Sequence, residues 1–210
     1  MIKLDILSDP ICPWCYIGKT YLDRALKLNQ NHNFLIEWHP YQLNPEMAPS
    51  GIDRREYLET KFGGKDRAVK VYLKISQAAE EAGLNLDFAL IKRTPNTLNA
   101  HRLIHWAGLE GVQEAAVSEL FKAYFEKGVD IGKTSNLITI ASSIGLNENK
   151  TRDLFRSDTD LKSIIDRDKN SRMRGVTGVP TFIVANTHVL TGAQTLDLWS
   201  NVITEILKKQ

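Results

Sequence analysis

Two cysteines separated by two residues are the strongest candidates for chemistry in this sequence. They form the run Cys12-Pro13-Trp14-Cys15 and are the only two cysteines in the chain. A thiolate can attack a disulfide sulfur, and a second thiol within reach can then resolve the mixed disulfide, so the pair could carry out redox exchange. The same spacing occurs in half of many zinc sites, and cysteine is also a common small buried residue. The spacing alone leaves these three interpretations open.

A metal site would need further ligands that the sequence does not clearly supply. Two more soft ligands would have to approach the cysteines, and His39, the only nearby histidine worth considering, is a poor third ligand. His101 and His105 are spaced to share one face of a helix, but the sequence has neither a glutamate at the second position of this pair nor a clear third ligand. We therefore expect no bound metal.

The elements that flank the cysteines favour redox chemistry over simple burial. Alternating polar and apolar residues predict a strand over Lys3–Ser8, and the apolar spacing that follows predicts a helix over Cys15–Asn29. Pro13 suits the first position of a helix, where its missing N–H costs nothing. Cys12 would then lie at a helix N-terminus, where free N–H groups and the helix dipole favour the thiolate. This placement predicts Cys12 as the attacking thiol and Cys15, one turn later, as the resolving thiol.

The rest of the chain predicts a second strand, a block of helices and a final pair of strands. Phe34–Leu43 completes a unit whose two parallel strands are joined by the first helix. From residue 53 to about residue 144 no strand is evident, and the helices predicted there are Arg54–Phe62, Asp66–Ala82, Asn96–Gly108, Gln113–Lys127 and Thr134–Ile144. The later elements are a short helix near residue 150, a helix at 160–174, strands at 179–186 and 188–193 joined at Asn186-Thr187, and a closing helix at 196–208.

This order of elements predicts an α/β fold built from two separated segments. Each β piece is too small to bury its own faces, so the two must join into one four-stranded sheet with helices on both faces. Residues 1–48 and 158–210 would form this sheet domain, and residues 49–157 would form an inserted helical domain. The cysteines would lie at the carboxyl end of the first strand, the edge at which ligands bind open α/β sheets.

The composition of the chain argues against several classes of function. Of its 210 residues, 42% are hydrophobic and 25% are charged, which is typical of a globular protein, and no apolar run approaches the roughly 20 residues of a membrane span. The formal net charge is only +2, so neither nucleic acid nor a membrane is an expected partner. The first residues lack the apolar stretch of a signal peptide, and we expect a cytoplasmic protein. Thiols stay reduced in the cytoplasm, which argues against a structural disulfide.

Several motifs together resemble a known family. The run Cys12-Pro13-Trp14-Cys15 at a strand-to-helix turn, with Val179-Pro180-Thr181 at the start of a late strand, resembles a thioredoxin fold, and the large helical insertion resembles the DsbA-like family. The segments similar to its FrnE-type branch are SDPICPWCYIG (8–18), PNTLNAHRLIHWA (95–107), GVTGVPTFIV (175–184) and LTGAQ (190–194). That branch comprises cytosolic relatives of DsbA that also resemble 2-hydroxychromene-2-carboxylate isomerases and kappa-class glutathione transferases. The similarity covers almost the whole chain and implies an α/β thioredoxin fold with a large all-helical insertion.

The resemblance also implies which residues serve the site. In the family the bond that corresponds to Val179–Pro180 is cis and lies opposite the cysteines, so that the backbone of the preceding residue can pair with a substrate chain. Pro180 is therefore expected to be catalytic together with Cys12 and Cys15. The expected substrate-binding residues are Pro13, Trp14, Val179, Thr181, Asn96, Asn99 and His101.

Two of the residues near these motifs have a simpler interpretation as well. Asn96 is a plausible helix N-cap. Asp9 could accept a proton during the reaction, or it could be an ordinary turn-forming residue before Pro10. Trp14 lies between the cysteines and is expected to be partly exposed.

The expected function is thiol–disulfide exchange on protein or low-molecular-weight disulfides, with no resident cofactor and with glutathione as a candidate co-substrate. One alternative is a glutathione-dependent isomerase or transferase, although such relatives typically have serine at the first position and no resolving thiol. Another is a non-catalytic redox-sensing or chaperone-like module that binds unfolded chains. The retention of both Cys12 and Cys15 favours redox exchange.

Overall fold

The computed structural model describes residues 1–208. A π-helical segment, Lys122–Glu126, directly follows the fifth helix. In chain order the strands and the other helices are β1 (Ile2–Ser8), α1 (Pro13–Leu28), β2 (Phe34–Pro40), β3 (Ile52–Asp53), α2 (Arg54–Phe62), α3 (Lys65–Glu81), β4 (Arg93–Thr94), α4 (Leu98–Leu109), α5 (Gln113–Phe121), α6 (Thr134–Ser143), α7 (Glu148–Arg156), α8 (Leu161–Met173), β5 (Thr181–Val184), β6 (His188–Thr191) and α9 (Leu196–Lys208).

The main sheet joins strands from the two ends of the chain. It has four strands in the order β2-β1-β5-β6. β1 pairs in parallel with β2, with Ile6 opposite Trp38, and pairs antiparallel with β5, with Ile6 opposite Phe182. The parallel pair requires a crossover connection, and α1 supplies it. The sheet predicted from the sequence is therefore confirmed.

The β5–β6 hairpin turns where the chain accepts left-handed backbone. Ala185 and Asn186 have φ values of 53° and 59°, and the Thr187 N–H donates to the Val184 carbonyl at 3.1 Å. Two consecutive residues with positive φ are the mark of a tight hairpin turn whose twist matches the strands. The predicted turn is thus present, one residue earlier than expected.

The prediction of a strand-free middle region is wrong. β3 and β4 form a small antiparallel sheet in which Ile52 lies opposite Thr94 and Asp53 lies opposite Arg93. Strands of two residues are too short to show the alternation that reveals strands in a sequence. The small sheet fixes the start of α2, because the Arg54 N–H donates to the Lys92 carbonyl at 3.0 Å.

Other boundaries differ from the predictions by a few residues. α1 begins at Pro13 rather than at Cys15, as a proline at the first helical position allows. β2 ends at Pro40 rather than at Leu43. The helix predicted to run to Lys127 changes at Phe121 to π-helical hydrogen bonding, in which the Lys127 N–H reaches the Lys122 carbonyl at 3.2 Å.

The sheet and the inserted helices share one hydrophobic core. A single cluster of buried side chains includes Leu4 and Trp199 from the sheet segments and Leu103 and Phe121 from the insertion. Tyr16 of α1 stacks on Phe121 of α5, with ring centroids 5.0 Å apart. The division into residues 1–48 with 158–210 and residues 49–157 stays a prediction, and residues 209 and 210 lie outside the described part.

Among residues 1–208, no helix combines the length and the apolar character needed to cross a bilayer.

Candidate functional site

Cys12 occupies the N-cap of α1. Its backbone is extended, with φ −89° and ψ 112°, and Pro13 follows at the first helical position. The Cys15 N–H donates to the Cys12 carbonyl at 3.0 Å, which closes the first turn. The Cys12 side chain is only 4% exposed, whereas Trp14 is 39% exposed. Cys12 therefore lies at the end of α1 that carries the positive end of the helix dipole, although no N–H group of α1 donates a capping hydrogen bond to its side chain.

Cys15 lies one turn deeper and is 1% exposed. Both cysteines are free thiols in this structure. Burial raises the pKa of Cys15 well above its usual value, and the neighbouring Cys12 sulfur raises that pKa further. Ser8 and the backbone of Asp9 partly oppose this rise in the pKa. Cys15 therefore holds its proton more firmly than an exposed thiol.

The segment before β5 faces Cys12. The Val179–Pro180 peptide bond is cis. The Cys12 thiol donates to the Val179 carbonyl, with sulfur and oxygen 3.6 Å apart. The Thr181 hydroxyl donates to the Gly178 carbonyl at 2.7 Å, so its side chain braces this loop.

Gly18 allows α1 to lie close to this segment. A Cβ atom at Gly18 would come within 3.2 Å of Pro180 Cγ and within 3.3 Å of both Phe182 Cζ and Ala193 Cα. Such distances are shorter than ordinary van der Waals contacts, so a side chain would push α1 away from Pro180. Sequence analysis missed this role, although an isolated glycine inside a predicted helix is a signal of close packing.

Asp9 ties the cysteine turn to the chain beyond β2. Its carboxylate accepts the Leu43 N–H at 2.6 Å and the Ile11 N–H at 3.3 Å, and its backbone carbonyl accepts the Cys12 N–H at 2.9 Å. The side chain is fully buried. Burial raises the pKa of Asp9 to about 7, and hydrogen bonds from Leu43, Ile11 and Thr97 limit the rise. Asp9 does more than form a turn, and its part as a proton acceptor stays a prediction.

His101 lies beside Asp9 on the inward face of α4. Its Nε2 atom is 3.9 Å from Asp9 Oδ1, and it is buried without a hydrogen-bond partner. Burial lowers the pKa of His101 to about 4, and the positive charge of Arg167 acts in the same direction, while Asp168 opposes both. His101 is therefore neutral at physiological pH.

Asn96 and Asn99 make hydrogen bonds to other parts of the insertion and its flanks. Asn96 accepts the Leu98 N–H at 2.9 Å and donates to the Met47 carbonyl at 2.6 Å. The N-cap of α4 is Thr97, so the prediction of Asn96 as the N-cap is wrong by one residue, and Asn96 instead braces the turn that precedes the helix. Asn99 accepts from Arg102 at 2.9 Å. The predicted contact of these two residues with substrate stays a prediction.

The other two histidines considered as metal ligands, His39 and His105, lie beside carboxylates rather than beside the cysteines. His39 Nε2 lies 2.5 Å from Asp5, and Arg167 lies 2.8 Å from His39 Nδ1. His39, Asp5 and Glu37 are close enough together to hold a cation, but the Arg167 guanidinium brings positive charge to the same cluster. His105 Nε2 lies 3.8 Å from Asp160.

Relatives of the chain match it over its whole length. A family described as DSBA-like thioredoxin domain matches residues 3–204. The uncharacterized protein YwbO of Bacillus subtilis is 24% identical over 214 residues, which span 100% of this chain and 99% of YwbO.

Solved structures share the fold at low sequence identity. A probable DsbA oxidoreductase from Streptomyces coelicolor has a TM-score of 0.88 at 22% identity, covering 100% of this chain and 92% of the other. A 2-hydroxychromene-2-carboxylate isomerase has a TM-score of 0.71 at 18% identity, covering 99% and 97% of the two chains. The cytosolic disulfide reductase DsbM from Pseudomonas aeruginosa has a TM-score of 0.72 at 18% identity, covering 99% and 100%. The predicted thioredoxin fold with a helical insertion is confirmed.

Proposed function

This chain belongs to the DSBA-like thioredoxin domain family, and on that basis we propose that it is a thiol–disulfide oxidoreductase that uses Cys12 and Cys15. The observation that carries the proposal is the placement of the two thiols. Cys12 caps a helix and faces the Val179 carbonyl, while Cys15 is buried one turn later. An attacking thiol and a resolving thiol need this arrangement.

In the proposed reaction the Cys12 thiolate attacks one sulfur of a substrate disulfide. The substrate S–S bond breaks, a bond forms between Cys12 and that sulfur, and the departing thiolate takes up a proton. Cys15 then loses its proton and attacks the Cys12 sulfur, which forms the internal disulfide and releases the second substrate thiol. Two electrons pass from the dithiol to the substrate, and the reverse sequence would oxidise a substrate dithiol.

The backbone of Val179 is the proposed contact for an extended substrate. Its carbonyl already accepts a hydrogen bond from the Cys12 thiol, so a substrate chain bound there would place its sulfur next to Cys12. The exposed face of Trp14 borders the same site. Pro13 and Thr181 would shape this groove from α1 and β5.

We further propose that the protein is cytoplasmic, that it works in the direction of disulfide reduction, and that glutathione is its co-substrate. The similar structure from Pseudomonas aeruginosa is named a cytosolic disulfide reductase, and one structure of it is described as being with GSH. A reducing compartment keeps a dithiol loaded with electrons, which supports reduction of protein or small disulfides. We propose no nucleic-acid or membrane partner and no resident cofactor.

A glutathione-dependent isomerase is the second candidate. Its support is the structural likeness to 2-hydroxychromene-2-carboxylate isomerase. In that case the group at position 12 would contact glutathione without forming an internal disulfide. The buried second thiol, Cys15, has no task in such a reaction, which places this candidate behind disulfide exchange.

A redox titration with glutathione distinguishes the two candidates. The purified protein would be equilibrated with reduced and oxidised glutathione, acid-quenched, alkylated and weighed by mass spectrometry, with tryptophan fluorescence recorded in parallel. We expect one two-electron transition from dithiol to internal disulfide. A persistent adduct of glutathione on Cys12, without formation of the Cys12–Cys15 disulfide, would contradict the proposal and favour the isomerase. The Cys15→Ser variant is the control, because it cannot form the internal disulfide and therefore gives the mass expected for that adduct.

A further inference from the structure

One face of the main sheet is open to solvent along β5 and β6. Ile183 of β5 lies opposite Asp5 of β1 and opposite Val189 of β6, so these three side chains share one face. On the other face Phe182 packs against Trp199 of α9, with ring centroids 4.9 Å apart. Val189 is 59% exposed. The face that carries Ile183 and Val189 therefore presents apolar surface to solvent.

α8 lies on this same side of the sheet, but at β2. His39 of β2 lies opposite Leu7 of β1, which lies opposite Thr181 of β5, so all three share the face of α8. Arg167 of α8 reaches His39 Nδ1 at 2.8 Å. A cleft of about 500 Å³ separates the end of α8 from β5 and β6.

The cleft begins at the segment that carries the proposed substrate contact. Residues 175–177 line it, and so does Thr181. Val179, whose carbonyl accepts the Cys12 thiol at 3.6 Å, lies between these residues in the chain. A substrate chain that pairs with Val179 and follows the segment back for four residues spans roughly 13 Å and reaches residue 175. The cleft and the cysteine site therefore share one stretch of backbone.

Most charged groups of the cleft already have partners. Lys3 Nζ lies 2.9 Å from Asp5, and His39 Nε2 lies 2.5 Å from the same carboxylate. Arg174 differs from them, because it is exposed at the C-terminal end of α8 and none of the ion pairs among residues 1–208 includes it. The cleft thus combines an apolar floor with one positive charge that is available to a ligand.

We propose that this cleft binds the part of an extended polypeptide substrate that flanks its reacting cysteine, an inference that rests on the proposed oxidoreductase function. An apolar side chain of the substrate packs on Ile183 and Val189, and an adjacent acidic side chain pairs with Arg174. The substrate class is then an extended protein chain rather than a small disulfide. Burial of apolar surface provides most of the binding energy, since an exposed ion pair adds little.

The test measures a preference between two peptides. Each is rich in glycine and has one central cysteine in a mixed disulfide with thionitrobenzoate. The first has leucine and aspartate three and four residues away on each side of the cysteine, and the second has serine at these positions. Cys12 bonds to the peptide sulfur and displaces thionitrobenzoate, whose absorbance gives the rate constant, and Cys15 then displaces the peptide thiol. We expect the first peptide to react about tenfold faster.

Two substitutions should reduce this preference, which is the ratio of the two rate constants. Val189→Ser should lower it about fourfold, because an apolar contact is lost. Arg174→Gln should lower it about threefold, because an exposed ion pair is lost. The matched controls are Val69→Ser, at a 49% exposed valine of α3, and Arg156→Gln, at an exposed arginine of α7. Both controls should keep the preference of the unaltered protein.

A measurement on the unaltered protein covers the case in which a variant does not fold. The first peptide with serine in place of its cysteine cannot react, and its binding should slow amide hydrogen exchange at residues 175–177 and 188–191. Equal rates for the two peptides, or no slowing of exchange in these segments, would overturn the inference while the redox function stands. If neither peptide reacts, the proposed function fails. Slower exchange with the unreactive peptide would then still support the cleft as a binding site.

Discussion

Cys12 and Cys15 are one helical turn apart, but their surroundings differ. Cys12 lies at the helix N-terminus next to the Val179 carbonyl. Cys15 is enclosed by Ser8, Asp9 and the other sulfur, and its pKa is raised by burial. Both thiols are buried, but Cys12 faces the Val179 carbonyl and Cys15 does not, so the proposed reaction assigns the first attack to Cys12.

Single substitutions of the two cysteines should therefore have different effects. We expect Cys12→Ser to abolish disulfide exchange, because the attacking sulfur is lost. Cys15→Ser should accumulate a mixed disulfide on Cys12, because the resolving thiol is lost. Non-reducing gels and intact mass after incubation with a disulfide substrate would show both outcomes, with the double variant as the control. Full activity in both single variants would contradict the assigned roles.

Residues differ in how much the sequence says about them. The cysteines and Pro180 belong to local motifs whose spacing is visible, and Pro13 follows from the preference of helices for proline at their first position. Arg54 is one of 27 lysine and arginine residues and carries no local signal. Its burial results from β3 and β4 and from two tyrosines distant in sequence, which only the folded structure brings together.

At the scale of elements, the contact between α1 and β5 positions the site. α1 carries both cysteines, and the loop that leads into β5 carries Val179 and Pro180. A Cβ atom at Gly18 would come within 3.2 Å of Pro180 Cγ and 3.3 Å of Phe182 Cζ, closer than ordinary van der Waals contact. The distance between Cys12 and the Val179 carbonyl therefore depends on a residue outside the cysteine motif.

Replacement of Gly18 tests this packing. Gly18→Val should lower the free energy of unfolding by about 1–3 kcal/mol, because the added methyl groups meet Pro180 and Phe182. Urea denaturation followed by fluorescence would measure the change. Arg24→Val, at an exposed position of the same helix, controls for the helix propensity of valine. If Gly18→Val lowers the free energy of unfolding no more than Arg24→Val does, α1 can shift away from Pro180 without loss of stability.

Long elements were predictable and short ones were not. α2 has the bounds that its apolar spacing and flanking Asp53 and Gly63 predict. β3 and β4 have two residues each and exist only because the inserted helices bring them together. The change to π-helical bonding at Phe121 likewise gives no periodic signal in the sequence.

At the scale of the whole molecule, Asp9 and His101 have opposite effects on how the free energy of unfolding changes with pH. In the unfolded chain a carboxyl titrates near 3.9 and an imidazole near 6.5. In the folded chain the pKa of Asp9 is raised to about 7 and that of His101 is lowered to about 4. The folded and unfolded chains thus bind nearly the same number of protons on this pair, and the two effects on stability nearly cancel.

Removal of either member should expose the effect of the other. With Asp9→Asn, the unfolded chain binds more protons at His101 between about pH 4 and 6.5, so stability should rise with pH in that range. With His101→Gln, the folded chain binds more protons at Asp9 between about pH 4 and 7, so stability should fall as pH rises. Each slope is limited to about 1.4 kcal/mol per pH unit. Urea denaturation between pH 4 and 7 would measure the free energy of unfolding of each variant. If it changes with pH in the same direction in both variants, the opposite effects assigned to Asp9 and His101 are wrong.

The overall fold was predictable because its two β pieces could not be stable apart. The burial of Asp9 next to His101 of the inserted helix α4 was not predictable, since burial depends on packing between distant segments. His101 was expected to face the cysteines only by resemblance to the family, and the structure adds that the buried Asp9 carboxyl lies 3.9 Å from its Nε2 atom.

The core that the sheet and the insertion share also bears on how this chain can change during evolution. An insertion with its own core could be exchanged as a module, but here Tyr16 of α1 stacks directly on Phe121 of the insertion. A substitution that reshapes one side must be accommodated by the other, because closely packed interiors transmit small displacements. We therefore expect the thiol chemistry at α1 and the ligand preference of the inserted helices to diverge together among descendants of this chain.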